Sequence, residues 1–387
     1  MPWSETTKMQ ERMRFVLDAQ EELFSMTELC GRYGISRVTG HKWLRRFREE
    51  GLEGLEDRSR APEHSPNRTS VAVVERLGRA RQRHPFWGAR KLIGWLERRH
   101  PDLDFPASST ATEILKRLGL VKPRRRRRHL SSTTHPLTEA SSPNHVWTAD
   151  FKGQFRTGDG AYCYPLTVAD SYSRYLLGCR SQLSVQSKPT QKGFERLFLE
   201  YGLPQIIRTD NGVPFAAPGA ISRLSQLSVW WIRLGINPEL IKPSSPHQNG
   251  AHERMHKTLK AETTRPPAAN AAAQQRRFDS FRAEYNTQRP HENLDNRTPS
   301  ELYAASSRPF PKQLPQPEYP AHFEVRRVNY CGQIRWKRSK ISISTSLREQ
   351  DVGLEEVDDG IWSIHFGPIL LGRFHEDDLT LHGVQPA

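Results

Sequence analysis

Cysteine is scarce in this chain, with only four in 387 residues. They are Cys30, Cys163, Cys179 and Cys331, far apart and without a Cys-x-x-Cys pair. This spacing argues against a disulfide framework and against a cysteine-rich zinc site. It is typical of a protein kept in a reducing cytosol.

Long apolar runs are also missing. No stretch of 18 apolar residues occurs, and the first residues, MPWSETTKMQERMRF, lack the apolar centre of a secretory signal. We therefore expect neither a membrane span nor a membrane partner.

Acidic residues are outnumbered. Lys and Arg total 58 against 43 Asp and Glu, which gives a net charge of +15. Such a surplus favours a polyanionic partner, because neutralised phosphates release condensed counterions. Charge alone does not separate DNA from RNA or from an anionic membrane. The length favours two to four domains.

The first 60 residues predict a helix-turn-helix domain. Ser25 and Glu28 have the spacing of a capping box, Gly34 ends that helix, and Ser36 can cap the next one. The second helix carries a polar face suited to a DNA groove, and this pattern is typical of DNA-binding modules. The predicted DNA-binding residues are Arg37, His41, Lys42, Arg45 and Arg46. The alternative is a small helical hairpin with a solvated basic face.

Residues 70–122 predict a second helix-turn-helix domain, of winged-helix-like type. Trp87, Leu92, Trp95 and Leu96 can form its core. A second capping-box pattern at Thr110–Glu113 predicts a recognition helix over residues 110–118.

A basic linker follows at 123–143. It begins with five successive arginines, Arg124, Arg125, Arg126, Arg127 and Arg128, and continues rich in Ser, Thr and Pro. Like charges repel, so we expect an extended segment that contacts a DNA backbone or minor groove. The alternative is a solvated linker without a defined contact.

Residues 144–303 alternate strand and helix patterns. Their predicted order is β-β-β-α-β-α-β-α, which implies a mixed sheet covered by helices. A proline-rich linker at 304–320 leads to residues 321–387, whose short strands and Asp359-Gly360 turn predict a small β-barrel. Either docking or DNA binding would suit this last domain. The fold class predicted for the whole chain is multidomain α+β.

Three acidic residues stand out by position. Asp150 lies near the end of the first strand of the central domain, Asp210 follows a short apolar strand, and Glu253 begins a helix. A carboxylate on an apolar strand is costly unless it is paired or holds a cation. Three of them would form an all-oxygen site of the kind that Mg²⁺ or Mn²⁺ prefers. Two such ions can serve both oxygens of an in-line phosphoryl displacement.

The motifs around these residues resemble a known family. WTADF, TDNG and PHQNGAHERMHKTLK, followed by YNTQRPHENL and RTP, are similar to the integrase core of retroviral integrases and bacterial insertion-sequence transposases. The resemblance is strong over 144–303, moderate over 8–128 and weak beyond 320. One departure is that 42 residues separate Asp210 from Glu253, more than the family usually has. We expect the extra length in residues 215–228.

The resemblance implies a ribonuclease-H-like fold and a D, D, E catalytic set formed by Asp150, Asp210 and Glu253, with two Mg²⁺ or Mn²⁺ ions per site. It also implies a transposase that cleaves the 3′ ends of its element and joins them to target DNA. Its partners would be the terminal repeats, the target DNA and further copies of the chain, as a dimer or tetramer. The location would be a bacterial cytoplasm, on the nucleoid.

Helical spacing places Lys257 and Lys260 on the same face as Glu253, at i+4 and i+7. We expect these lysines to grip phosphates of the DNA end. The alternative is a simple surface pair between Glu253 and a lysine.

Three competing hypotheses remain. His252-Glu253-Arg254-Met255-His256 fits the HExxH pattern of zinc peptidases, with His247 close by in the sequence. A DNA-binding protein with a decayed core would bind without cutting. A plain metal nuclease of the same fold would cut without joining, but two DNA-binding modules exceed what it needs.

Overall fold

The computed structural model describes residues 6–59, 68–121, 137–217, 219–220, 223–242 and 249–383. The chain divides into two compact units, Met1–Arg68 and Thr69–Ala387. Within the described residues, no helix has both the length and the apolar character needed to cross a membrane.

The first unit is a three-helix domain. Its helices are α1 (Lys8–Gln20), α2 (Met26–Arg32) and α3 (Arg37–Glu50), followed by a 3-10 turn at Gly51–Leu55. The capping box predicted at Ser25 and Glu28 is confirmed, and the Ser36 side chain caps α3 as predicted. Phe15, Leu29 and Trp43 are among the side chains that form the core. Gly40 allows close packing here, because a Cβ atom on it would lie 2.6 Å from the Cys30 sulfur.

The second unit begins with another three-helix domain. It contains α4 (Val71–Arg83), α5 (Ala89–Arg99) and α6 (Ser108–Arg117). Trp87, Leu92, Trp95 and Leu96 are in its core, as predicted. The capping box predicted at Thr110 is wrong, because α6 begins two residues earlier, at Ser108, without a side-chain cap.

A six-stranded mixed sheet follows. Its strands are β1 (Val146–Phe151), β2 (Phe155–Arg156), β3 (Tyr162–Asp170), β4 (Leu176–Gln182), β5 (Ile206–Thr209) and β6 (Asn237–Leu240). The order is β2-β3-β1-β5-β6, with β4 also paired to β3. The first strand pairs antiparallel with β3 and parallel with β5, so the predicted mixed sheet is confirmed.

Helices cover both faces of this sheet. On one face, α7 (Ser187–Tyr201) and α8 (Gln226–Arg233) pack against Trp147 and Ala149. On the other face, α9 (Gly250–Thr263) and α10 (Ala271–Thr287) pack against Cys163 and Cys179. Side chains alternate along a strand, so Thr148 and Asp150 face the α9 side.

The second three-helix domain is fixed to this central domain by polar contacts. The guanidinium of Arg98 donates to the Asn296 carbonyl and to Glu301, the latter at 3.0 Å. Arg90 lies 3.3 Å from Glu292. These contacts place α5 beside the segment that follows α10.

The C-terminal region has two sheets. A five-stranded sheet has the order β13-β12-β11-β10-β7, and β8 pairs with β9 alone. The strands are β7 (Glu324–Arg327), β8 (Gln333–Trp336), β9 (Ser339–Ser342), β10 (Asp351–Asp358), β11 (Ile361–Phe366), β12 (Ile369–His375) and β13 (His382–Gly383). In the part of the chain that the structure describes, β7 and β13 do not pair with each other, so no closed barrel forms. The predicted small β-barrel is therefore not found, although its Asp359-Gly360 hairpin turn is confirmed.

Candidate active site

Strand pairing brings Asp150 and Asp210 to one end of the sheet. The parallel register aligns Thr148 on β1 with Arg208 on β5. Two residues further along each strand, the same register leads to Asp150 and Asp210. The parallel pairing of β1 with β5 is therefore the physical reason that Asp150 and Asp210 lie at the same end of the sheet.

Asp150 is an unusually costly carboxylate. Its side chain is 24% exposed. Burial, the largest cause, together with the negative charges of Asp210 and Glu253, raises the pKa of Asp150 to about 7. The charges of Asp210 and Glu253 therefore both act on Asp150, and a cation beside Asp150 would relieve this repulsion.

Asp210 lies in the turn that ends β5. Its Oδ1 accepts a hydrogen bond from the Gly212 backbone N–H at 3.1 Å. Beside it, the Asn211 side-chain amide donates to the Ile241 carbonyl and accepts from Arg223. These bonds fix the turn that presents the Asp210 carboxylate.

The extra length between Asp210 and Glu253 includes a loop. A single bridge between Ala216 and Leu224 closes it just before α8. That the extra length lies in residues 215–228 stays a prediction.

Glu253 lies in the first turn of α9 and is exposed, as are Lys257 and Lys260. The three side chains thus occupy one solvent-facing stripe. Among the described residues, no three His, Cys, Asp or Glu side chains lie close enough together to hold a metal ion. Asp150, Asp210 and Glu253 are neighbours here without forming a closed ligand set.

The histidines of the HExxH pattern point into the protein. His252 lies 2.9 Å from the Thr148 hydroxyl through Nδ1 and 2.7 Å from the Thr167 hydroxyl through Nε2. His256 Nε2 lies 2.6 Å from the same Thr167 hydroxyl. Burial lowers the pKa of His252 to about 3 and that of His256 to about 2, so both are neutral. Threonines engage these ring nitrogens, which argues against the zinc-peptidase hypothesis; His247 is outside the described residues.

The two threonines were missed in the sequence. Thr148 and Thr167 face α9 only because of the strand register, and nothing in their sequence context marks them. Both hydroxyls hold the buried side of the helix that carries Glu253.

The predicted DNA-binding face of α3 is accessible. Arg37, His41, Lys42 and Arg45 are exposed, while Arg46 is half-buried. Lys42 and Arg46 also lie over the Trp43 ring. The five arginines Arg124, Arg125, Arg126, Arg127 and Arg128 are outside the described residues.

Known domain families match these regions. The integrase core domain matches residues 140–246 and, in a second form, 234–299. A helix-turn-helix domain matches residues 11–63, and a homeodomain-like domain matches 39–115. The chain is therefore of the integrase and transposase type, a class that binds DNA and transfers polynucleotide strands.

Individual relatives show which proteins of this class the chain resembles. The chain is 26% identical over 246 residues to the insertion element IS407 uncharacterized 31.7 kDa protein of Burkholderia multivorans, covering 63% of this chain and 83% of the relative. It is 25% identical over 278 residues to the insertion element IS476 uncharacterized 39.2 kDa protein of Xanthomonas euvesicatoria, covering 72% and 77%. The Pol polyprotein of radiation murine leukemia virus is 32% identical over 123 residues, which cover 32% of this chain and 20% of that protein. The resemblance to bacterial insertion-sequence transposases with an integrase-type core is confirmed.

Solved structures give weaker matches. The HTLV-2 integrase catalytic core domain in complex with magnesium (trimeric form) is 16% identical, with a TM-score of 0.35, covering 43% of this chain and all of that one (100%). A chain of the simian T-cell lymphotropic virus intasome in complex with PP2A regulatory subunit B56 gamma is 16% identical, with a TM-score of 0.38, covering 68% and 90%.

Proposed function

We propose that this chain is a DNA transposase. It binds the terminal repeats of its mobile element, cleaves the 3′ ends and transfers them into target DNA. Asp150, Asp210 and Glu253 are the catalytic and metal-binding residues. The observation that carries the proposal is the strand register that brings Asp150 and Asp210 to one end of the sheet in the integrase core match, where Asp210 and Glu253 both act on the charge of Asp150.

The donor chemistry fits Mg²⁺ or Mn²⁺. All three side chains offer carboxylate oxygens, and hard divalent cations prefer oxygen ligands. The raised pKa of Asp150 marks a negative charge that is poorly compensated within the protein. When bound, two ions would activate the attacking water or 3′-hydroxyl and stabilise the leaving oxygen.

The surrounding residues position this chemistry. Thr167 and the two neutral histidines hold the buried face of α9, so that Glu253 projects from a fixed helix. Lys257 and Lys260 follow Glu253 on the exposed stripe and attract phosphates of the DNA end. The α3 residues Arg37, His41, Lys42, Arg45 and Arg46 read the terminal repeat, and the run Arg124–Arg128 follows the DNA backbone.

The domain order of the chain supports the joining of DNA ends as well as their cleavage. Two helix-turn-helix-type domains precede the core, and specific end recognition suits a transposase more than a general nuclease. Bringing two element ends together requires more than one copy of the chain, so a dimer or tetramer on DNA is expected, inside a bacterial cell.

Strand transfer in vitro tests the proposal. Purified full chain is mixed with DNA carrying the candidate element ends, a plasmid target and Mg²⁺ or Mn²⁺. Asp150→Asn, Asp210→Asn and Glu253→Gln are run in parallel, with EDTA as a further control and Glu195→Gln, on the opposite face of the sheet, as the matched variant. Joined products that disappear in all three variants and in EDTA, but not in Glu195→Gln, support the transposase. Cleavage without joining would point to a nuclease, and end binding without either to a decayed core.

A further inference from the structure

Two adjoining cavities lie beside the N-terminal half of α9. Their volumes are about 720 Å³ and about 170 Å³. Arg174, Arg254, Tyr285 and Asn293 line both of them. The two cavities therefore form one continuous recess, which we call the α9 pocket.

Four cations from distant parts of the chain meet in the α9 pocket. Lys91 comes from α5, Arg174 from the turn between β3 and β4, Arg254 from α9, and Arg289 from the segment after α10. Their charges act on each other: Arg289 and Arg254 lower the pKa of Lys91, and Arg254 lowers that of Arg174. The fold has gathered like charges, which costs free energy unless an anion compensates them.

Only one of these cations forms an ion pair within the described parts of the chain, although Glu292 and Glu262 act at longer range on Lys91, as Asp170 does on Arg174. Arg289 lies 3.0 Å from Glu262. No described residue forms a hydrogen bond or ion pair with the side chain of Lys91, Arg174 or Arg254. Three acidic residues line the pocket: Glu292 is engaged by Arg90 at 3.3 Å, Asp170 accepts hydrogen bonds from the Asn144 and Ser173 backbone N–H groups, and Glu139 is exposed.

Burial increases the free-energy cost of leaving these cations without an ion-pair partner. Lys91 and Arg174 are half-buried. Burial is the largest cause that lowers the pKa of Lys91 to about 8, and it also lowers the pKa of Arg174. A structural role would have paired these groups, so their state indicates a ligand that supplies negative charge.

We propose that the α9 pocket binds the backbone phosphates of the DNA duplex that the second three-helix domain delivers to the core. This inference rests on the proposed function and adds to it a phosphate site whose lining includes none of the three carboxylates. The planar guanidiniums of Arg174 and Arg254 suit bidentate contacts with phosphate oxygens, and Lys91 adds a point charge.

The position of the pocket supports DNA as the occupant. Lys91 belongs to the second three-helix domain, whereas Arg254 directly follows Glu253 on α9. A DNA strand that runs from that domain to the three proposed catalytic carboxylates would pass the pocket. Lys91 would thus hold the DNA beside the second three-helix domain, and Arg254 would hold it beside the active site.

Chemical labelling of Lys91 is the first test. Free full chain and chain saturated with a mixed-sequence duplex are acetylated briefly at pH 8 in EDTA, and the peptides are quantified by mass spectrometry. Lys192, exposed on α7 across the sheet, is the control. We expect DNA to lower the labelling of Lys91 severalfold and to leave Lys192 unchanged. Equal labelling of Lys91 with and without bound DNA would overturn the inference.

Salt-dependent binding is the second test. Lys91→Met and Arg174→Gln are compared with Lys192→Met and Arg196→Gln in fluorescence anisotropy titrations over a range of KCl. Each pocket variant should reduce the slope of log affinity against log salt by about 0.9, as expected for one lost phosphate contact. Thermal unfolding midpoints should stay equal or rise, because an uncompensated cation has been removed.

The outcomes separate the two proposals. Wild-type slopes in both pocket variants, with DNA still bound, would overturn the phosphate site and leave the transposase standing. A wild-type chain that binds no duplex at all would overturn the proposed function, and the phosphate site with it. The pocket variants can also be combined with Asp150→Asn, which removes strand transfer. Slopes that Lys91→Met or Arg174→Gln still reduces in this background would support the pocket independently of catalysis.

Discussion

The Nδ1 atom of His256 lies 3.5 Å from Oδ2 of Asp150. The other ring nitrogen of His256 contacts the Thr167 hydroxyl, which also donates to the Asp150 main-chain carbonyl at 3.0 Å. Through these atoms, the helix that carries Glu253 is tied to the strand that carries Asp150. The relative position of two proposed catalytic residues therefore depends on the buried Thr167 hydroxyl, together with the contact between Thr148 and His252.

Replacing that hydroxyl should weaken the fold. Thr167→Val keeps the shape but leaves nitrogens of His252 and His256 without a partner. We expect a loss of about 1–3 kcal/mol in the free energy of unfolding, the cost of an unsatisfied buried polar group. Urea unfolding measures it. Thr190→Val, a buried threonine on α7 that only bonds back to the Gln186 carbonyl, should change stability much less.

Two glycines of the first unit should respond to alanine in opposite directions. At Gly40 on α3, a Cβ atom would lie 2.6 Å from the Cys30 sulfur and 2.9 Å from the Phe15 ring. Gly40→Ala should therefore destabilise the domain, despite the better helix propensity of alanine. Gly31 on α2 has open space around the same position, so Gly31→Ala should stabilise by about 0.5–1 kcal/mol.

Hydrogen exchange of α1–α3 peptides in the full chain measures both effects. Faster exchange in Gly40→Ala and slower exchange in Gly31→Ala is expected. Equal protection in the two variants would contradict the packing around α3.

The buried pair of Arg289 and Glu262 should be costly to split. Their nitrogen and oxygen atoms are 3.0 Å apart, and both side chains are mostly buried. Arg289→Met leaves Glu262 without compensation and should cost about 3–5 kcal/mol. The double variant Arg289→Met/Glu262→Met should recover most of this loss in urea unfolding.

A surface pair provides the comparison. Arg326 and Glu324 are both more exposed, so Arg326→Met should cost under about 1 kcal/mol. A double variant no more stable than Arg289→Met alone would argue against an electrostatic origin.

Acid should destabilise the second unit partly through His84. Burial, the largest cause, and the charges of Arg83 and Arg99 together lower the pKa of His84 to about 4. An unfolded histidine has a pKa of about 6.5. Between these values the unfolded chain binds a proton that the folded chain does not, so stability falls as the pH drops from 6.5 towards 4. Above pH 6.5 this contribution is constant.

The size of the effect is at most about 1.4 kcal/mol per pH unit within that window. Urea unfolding between pH 7 and pH 5 should show a shallower decline in His84→Gln than in the wild type. His322→Gln, which changes an exposed histidine, should keep the wild-type slope. Identical slopes in all three proteins would argue against a neutral buried His84.

The exposed face of α3 should determine sequence preference. Selection of bound fragments from a random duplex library should enrich one sequence with the wild-type chain. Arg37→Ala and Arg45→Ala should each weaken that preference by about 1–3 kcal/mol, the discrimination of one good base contact. Arg14→Ala, an exposed arginine on α1, should leave the enriched sequence unchanged.

Much of the fold was predictable from local pattern. Phe194, Leu197 and Phe198 recur at helical spacing, which predicts a helix over 188–201, and α7 spans Ser187–Tyr201. Asp150 and Asp210 were predictable as neighbours because one lies near the end of a buried strand and the other directly follows one. Such features depend on periodicity, which is written in the sequence itself.

Other features depend on partners far along the chain. Nothing local marks β10 as a strand, because its sequence, DVGLEEVD, mixes glycine with four acidic residues. Its pairing with β7 and β11 decides its structure. Strand pairing also decides whether a set of strands closes into a barrel or remains open. The α9 pocket unites residues from four separate elements, so no local motif marks it.

One helix contributes to two hydrophobic cores. Leu227 and Trp231 of α8 pack in the core of the central sheet, whereas Val229 and Ile232 pack with Ile364 and Phe366 of the C-terminal sheet. Neither core can open without exposing a face of the same helix to water. The central sheet and the C-terminal strands should therefore unfold as one cooperative unit. Removing the C-terminal strands would leave an exposed apolar face of α8 that favours aggregation.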